Sequence, residues 1–358
     1  MGRSLLIARI AGIRILVHWT FLLLIGWIVF QEVGKGSDTT TILATIGLVL
    51  ALFACVVLHE LGHSLTAKRY GIDTRKITLL PIGGVASLER IPEDPKQELW
   101  VALAGPAVNV VIALLLLPFI SFQELLSDRS LLSVTNLQGF LVSLFSANVF
   151  LVIFNAIPAF PMDGGRILRA LLALRLGRIK ATNIAAGLGQ FLAIGFVFWG
   201  LFNNPFLVLI GVFVYFGAQS ENVLVQQTEL LRDYTVQNAM MTNFVTLSPT
   251  DTVKDAADKL LSGSDYDLIV VENDQAIGVM TRSRIIDSLR ENRLDTPVTQ
   301  VMQTEFDTVQ LHAPLTDVYA FVQRKPNSFF PVLENNTLRG VIDMSNINEF
   351  VMIRSALR

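Results

Sequence analysis

Long apolar runs separated by short polar breaks dominate the chain up to about residue 230, where the pattern changes abruptly. Runs that reach or approach the roughly 20 apolar residues needed to cross a bilayer lie near 14–32, 42–67, 97–120, 137–160, 182–201 and 205–225. They predict about six membrane-spanning helices. The first is expected to be retained. It follows a basic start, "MGRSLLIARI", but is long for a signal peptide and lacks a small-residue cleavage site. The stretch "KITLLPIGGVASLERIPED" is not a span: it is short, broken by Pro81, Gly83 and Gly84, and alternates like a strand or hairpin. Non-helical backbone at membrane depth needs shelter within protein or beside a water-filled cavity. The loop therefore either lines a cavity or lies on the headgroups.

Beyond residue 231 the pattern repeats with a spacing of about 60 residues. "VQNAMMTNFVTLSPTDTVKDAADKLL" is echoed by "VTQVMQTEFDTVQLHAPLTDVYAFVQ". Each copy reads as a Met-containing turn, a strand, a helix, an apolar strand, a turn, a Gly-Val-hydrophobic strand and a closing helix. The expected fold is a multi-pass α-helical membrane domain over 1–228. A pair of α/β units over 232–358 follows, the copies lying at about 235–292 and 297–355 and packed face to face.

Composition agrees. Hydrophobic residues make up 52% of the 358 and charged residues 16%, with a mean hydropathy of +0.53, which excludes an ordinary soluble protein. Residues 1–231 hold 16 Lys and Arg against 13 Asp and Glu, and the remainder 12 against 17. The resulting net charges of +3 and −5 give no reason to expect direct nucleic-acid binding. A single cysteine, Cys55, rules out an internal disulfide. The positive charges also orient the spans. Arg3, Arg9 and Arg14 precede the first run. Lys68, Arg69, Arg75 and Lys76 follow the second, and Arg166, Arg169, Arg175, Arg178 and Lys180 separate the fourth from the fifth. With six spans these clusters share one face, expected to be cytoplasmic, together with the N-terminus and the tail. The connections "QEVGKGSDTT" and "SFQELLSDRSLLSVTN", poor in Lys and Arg, fall on the other.

The second run ends in "VVLHELGHSLTAKRYG". On a helix, residues four apart share a face, so His59 and His63 can present two imidazoles to one metal ion. Glu60 is then placed to take a proton from water that the ion activates. Catalytic zinc takes three protein ligands and leaves a position open. From His59 to Lys68 is about 14 Å of helix, so the site would lie inside the bilayer, where ionisable groups are costly and usually functional. The alternative is that both histidines make helix–helix hydrogen bonds. Asp163, in "NVFLVIFNAIPAFPMDGGRILRALLALRLG", is a candidate third ligand, because Pro158 and Pro161 break the helix just before it. It could equally cap the helix that follows. His18 reads as supporting the ligands or lining the entry path, or as an interfacial residue beside Trp19, and Cys55 as packing one turn deeper than His59. His312 reads as exposed, and Asn109 and Asn148 as helix–helix hydrogen-bonding amides.

These motifs resemble the site-2 proteases, the intramembrane zinc metalloproteases. That family pairs an H-E-x-x-H helix with a later N-x-x-P…D-G motif, present here as His59, Glu60 and His63 with Asn155, Pro158, Asp163 and Gly164. "AGPAVN" and "PIGGVA" also look like family features. The resemblance implies one Zn2+ held by His59, His63 and Asp163, with Glu60 as general base. It also implies a single-span membrane substrate cut in or near its transmembrane segment, such as an anti-sigma factor or a membrane-tethered transcription-factor precursor. Gly83, Gly84, Asn155 and Pro158 are candidates for holding an extended substrate strand. A transmembrane helix hides its carbonyls, so such an enzyme must present its substrate unwound. The tail resembles a cystathionine-β-synthase (CBS) domain pair. Such pairs often bind adenine nucleotides, here through Thr281 with Arg284 and Asp343 with Asn346. Arg284 departs from the expected ribose-binding Asp and cannot accept from ribose hydroxyls. Regulation, substrate docking or homodimerisation are the other roles open to the pair. The competing reading is a CBS-gated metal-ion transporter that uses the same ligands. Such transporters often show inverted repeats, which are not evident here. The resemblance and the charge pattern together imply a plasma-membrane location.

Overall fold

A computed structural model describes residues 4–81, 83–88, 92–121, 134–262, 267–323, 325 and 329–357. The chain divides into two compact units, Met1–Val225 and Gln226–Arg358.

The first unit begins with a hairpin, β1 (Ser4–Ile10) and β2 (Ile13–His18), closed by a two-residue turn with φ of 53° at Ala11 and 89° at Gly12. Two positive φ values give the turn whose twist matches a tight hairpin. Helices α1 (Thr20–Gly34) and α2 (Thr39–Arg69) follow, then a second antiparallel hairpin, β3 (Thr74–Leu80) and β4 (Gly83–Leu88). The four strands form one sheet in the order β1-β2-β3-β4. The β2–β3 pairing is parallel, with Arg14 opposite Lys76 and Val17 opposite Leu79. Parallel neighbours need a long crossover, and α1 with α2 supply it. Helices α3 (Pro95–Leu116), α4 (Leu137–Asn155), α5 (Asp163–Leu176), α6 (Arg178–Asn203) and α7 (Pro205–Leu231) complete the unit.

Among the described residues five helices, α2, α3, α4, α6 and α7, are long and apolar enough to cross a membrane. The expected first span, 14–32, is the correction. Residues 13–18 form β2, and only the 15-residue α1 remains helical, about 22 Å long against a hydrocarbon core of about 30 Å. In "IRILVH", Ile13 and Ile15 face inward and pack with Leu61 and Ile77, while Arg14 faces out. That period-two pattern is lost when hydropathy is averaged over a span-length window. The strand or hairpin read in "KITLLPIGGVASLERIPED" is borne out as a hairpin over its described residues up to Leu88, where β3 pairs with β4. Most of "SFQELLSDRSLLSVTN" lies outside the described residues.

The unit is inside-out in character. Large side chains such as Leu22, Phe30, Phe150, Phe198 and Phe202 are exposed, whereas α6 buries Ala181, Ala185, Ala186 and Ala193. Small residues let helices approach closely where no hydrophobic force separates protein from lipid.

Among the described residues the second unit holds two three-stranded sheets. One is ordered β5 (Thr246–Leu247), β6 (Asp267–Glu272), β7 (Gln275–Thr281). The other is ordered β10 (Thr337–Ile342), β9 (Phe330–Glu334), β8 (Val309–Gln310). Helices α8 (Val253–Ser262) and α9 (Arg282–Arg290) accompany the first sheet. Helices α10 (Leu315–Val322) and α11 (Met344–Ala356) accompany the second. The repeat seen in the sequence extends to the turns: Asn273-Asp274 and Asn335-Asn336 both take positive φ between antiparallel strands. The Met-containing segments also have equivalent roles, with Met302 lying over Gly278 and Met240 over Gly340.

Candidate metal centre

His59 and His63 lie one turn apart on α2, and both are buried. Asp163 opens α5 and is also buried. The three donor atoms form a nearly equilateral triangle. His59 Nε2 stands 3.1 Å from His63 Nε2, and each is 3.2 Å from Asp163 Oδ2. Three donors of a tetrahedral zinc ion, at bond lengths of about 2.0–2.1 Å, would stand about 3.3 Å apart. The two-imidazole, one-carboxylate set therefore fits zinc in chemistry and in spacing, and among the described residues it is the one such cluster.

The outer partners fix the tautomers. His59 Nδ1 lies 2.5 Å from Asn109 Oδ1, and His63 Nδ1 lies 2.7 Å from the Val101 carbonyl. Both partners are acceptors, so each imidazole donates from Nδ1 and keeps its Nε2 lone pair for a metal. Asn109 in turn donates to Asn148 Oδ1 at 2.8 Å, and Asn148 donates to the Leu144 carbonyl at 2.8 Å. This buried relay links α2, α3 and α4. Cys55 Sγ touches it, 3.5 Å from Asn148 Nδ2, and lies outside the donor set.

Close approach of backbone makes the site compact. A Cβ on Gly105 of α3 would fall 2.1 Å from His63 Nε2, and one on Gly164 would fall 2.2 Å from the Ile157 carbonyl. The glycines of "AGPAVN" and "MDGG" are thus required by what lies against them. Strand β4 runs beside the centre: a Cβ on Gly84 would come within 2.9 Å of Glu60 Cγ. Glu60 follows His59 on α2 and is half-buried, between the histidines and the strand.

Behind Asp163, α5 buries Arg169 completely. Its Nε donates to Glu98 Oε1 of α3 at 2.8 Å, a contact its Nη2 shares. Its Nη1 donates to Glu221 Oε1 of α7 at 2.7 Å. The guanidinium also lies 4.8 Å from the centre of the Phe160 ring, three residues before Asp163. This clamp ties the helix that carries the acidic donor to two others.

The other candidates are dispersed. Asn155 Nδ2 donates to the Leu151 carbonyl of its own helix at 3.0 Å, and Pro158 is exposed. Gly83 takes a φ of 138° at the start of β4. His18 bonds Thr20 Oγ1 at 2.8 Å at the strand–helix junction, outside the cluster. In the second unit Thr281 caps α9 by accepting from Arg284 N, and Asp343 caps α11 by accepting from Asn346 N. Arg284 donates to the Val301 carbonyl at 2.9 Å. The exposed His312 lies 3.5 Å from Glu334. Asn109 is the residue whose importance the sequence reading understated; an amide one turn after Gly105 in an apolar helix was the available signal. The contact to the Val101 carbonyl had no side-chain signal.

The family model described as peptidase family M50 matches residues 47–133 and 120–198, and the CBS domain model matches 232–291 and 298–353. A zinc metalloprotease of Methanocaldococcus jannaschii is 38% identical over 281 residues, covering 78% of each chain. Stage IV sporulation protein FB of Bacillus subtilis is 25% identical over 263 residues, covering 68% of this chain and 87% of that one. The solved site-2 protease from Methanocaldococcus jannaschii is 42% identical over 62% of this chain and 95% of its own, with a TM-score of 0.46. None of this favours transport over hydrolysis. With a zinc metalloprotease relative matching across more than three quarters of its length, the chain belongs to peptidase family M50, the site-2 type of membrane zinc metalloprotease, and carries CBS domains behind the peptidase unit.

Proposed function

We propose that His59, His63 and Asp163 are the zinc ligands of this intramembrane endopeptidase and that Glu60 is its general base. The observation that carries the reading is the donor triangle of 3.1–3.2 Å with both Nδ1 atoms committed to acceptors. Zinc held there supplies Lewis acidity toward a substrate carbonyl and toward water. Glu60 takes the proton from the attacking water and delivers it to the leaving amine. Asn109 and the Val101 carbonyl hold the imidazoles in the productive tautomer.

The substrate is a single-span membrane protein, such as an anti-sigma factor or a membrane-tethered transcription-factor precursor, cut in or near its transmembrane segment. Its unwound strand pairs alongside β4 at Gly83–Gly84, and Asn155 and Pro158 help to hold it near the metal. The domain division is 1–228 for the peptidase and 232–358 for the CBS pair, with copies at about 235–292 and 297–355. The protein sits in the plasma membrane. Its basic segments, site opening and CBS pair face the cytoplasm, where the pair regulates, docks substrate or dimerises. Adenine nucleotide binding is the weaker proposal for the pair, since Thr281, Asp343 and Asn346 already serve as helix caps and Arg284 as a partner of Val301.

The ligand assignment is tested by Asp163→Ala. The purified variant is expected to lose zinc while keeping its fold by circular dichroism. One zinc per chain in that variant would remove Asp163 from the ligand set.

A further inference from the structure

A half-open cavity of about 420 Å³ lies at the end of α2, between the β1–β2 turn and the start of β3, and none of His59, His63 and Asp163 lines it. Arg14, Lys68 and Arg75 line it against a single carboxylate, Asp73. Lys68 Nζ donates to the Ala11 carbonyl at 3.1 Å, which holds the ammonium at the rim and engages one of its three N–H groups. Ser64 and Thr74 also line the cavity. Both are buried, and their hydroxyl oxygens have no hydrogen-bond partner among the described residues. Buried hydroxyls are normally satisfied, so two unpartnered ones beside three cations call for an acceptor-rich ligand.

The surroundings indicate where that ligand comes from. On β1, Leu5, Leu6, Ile7 and Ile10 are exposed, at 72, 48, 60 and 42%. Trp19, just past β2, is 49% exposed. An exposed apolar strand and a tryptophan are at home at the membrane interface. Lys68 and Arg69 end a membrane-crossing helix, which sets the cavity at the level of lipid headgroups, where basic side chains meet anionic lipid.

We propose that this cavity binds the phosphate of an anionic phospholipid, with Arg14, Lys68 and Arg75 supplying charge and Ser64 and Thr74 supplying hydroxyl donors. The acyl chains lie along the exposed face of β1, so the N-terminal hairpin is a lipid-anchored element of the peptidase unit. The recognised group is a phosphate oxyanion, which free phosphate also offers. The site is independent of the assignment of Glu60.

The test is native mass spectrometry of the full chain in detergent. The chain is titrated separately with phosphatidylglycerol, with diacylglycerol, which lacks the phosphate, and with inorganic phosphate. Wild type is expected to hold one phosphatidylglycerol at least about tenfold more tightly than Arg14→Gln/Lys68→Gln, because charge-assisted hydrogen bonds are lost. Thr74→Val, which keeps the charges, should weaken binding a few-fold. Diacylglycerol should bind weakly and equally to all three proteins. Zinc stoichiometry equal to wild type reports that the variants are folded. Inorganic phosphate binding wild type as tightly as the lipid, and lost in the double variant, would support the phosphate site and name solution as its source. Equal phosphatidylglycerol retention by wild type and both variants would overturn the proposal, as would diacylglycerol binding as tightly as phosphatidylglycerol.

Discussion

Replacing Asn109 by leucine should loosen the metal without touching any donor atom. The perturbation removes the acceptor 2.5 Å from His59 Nδ1 and leaves a buried N–H without a partner. An unpaired buried donor costs about 1–3 kcal/mol, which is about 5- to 150-fold in affinity at 1.4 kcal/mol per tenfold. Loss of a partner that orients a metal-bound histidine falls in the same range, about 10- to 100-fold. The expected loss of zinc affinity is therefore about 10- to 100-fold. It is measured as zinc retained by the purified full chain across a graded series of chelator concentrations. Asn109→Asp keeps an acceptor and should hold zinc at concentrations that strip the leucine variant. Asn148→Ala acts one step further out and should cost only a few-fold. A leucine variant that retains zinc as tightly as wild type would refute the claim that Asn109 orients His59.

The remaining predictions concern the clamp and the tail. Arg169→Met leaves Glu98 and Glu221 buried without their cation, at about 3–5 kcal/mol. It should lower the thermal midpoint in detergent, and an unchanged midpoint would show that the clamp contributes nothing to stability. In the tail, burial pushes the Asp267 carboxyl above its ordinary 3.8, despite the hydrogen bond it accepts from Arg282 N at 3.0 Å. The folded state therefore binds the proton more tightly than the unfolded one. Stability rises as pH falls through the raised value and levels off below the unfolded value. Asp267→Asn should flatten that rise in urea unfolding of residues 226–358, whose own core includes Leu247, Leu268, Val270 and Met280. An identical pH profile in the variant would show that another group is responsible.

Much of this molecule was legible from its sequence because its signals are of the kinds that survive without tertiary information. A run of 20 apolar residues can hide its backbone in lipid only as a helix, so α2, α3, α4, α6 and α7 were found with ends off by a few residues. His59 and His63 are four apart on one helix, so their convergence is a local property. The repeat of the tail carried its turn residues, Asn273-Asp274 and Asn335-Asn336, at equivalent positions. What failed was non-local. Whether "IRILVH" is the first turns of a span or a strand depends on β3 lying 62 residues away to pair with it, and window-averaged hydropathy hides the alternation. The contact of His63 with a backbone carbonyl could not be read from residue types at all. Asn109 was visible as a polar residue in an apolar helix, but its partner His59 lies 50 residues away. The clamp of Arg169 was hidden differently: the charge pattern placed it with the basic residues between the fourth and fifth runs, whereas Glu98 and Glu221 pair with it in the interior.

The central claim is that Glu60 moves the proton in peptide hydrolysis at a zinc ion held by three other residues. The most direct measurement is Glu60→Gln in the full chain reconstituted with a single-span substrate, with zinc content and cleavage measured on the same preparation. The expected result is one zinc per chain, as in wild type, and no detectable cleavage. A variant that holds zinc and still cleaves at a rate near wild type would contradict the assignment of the base.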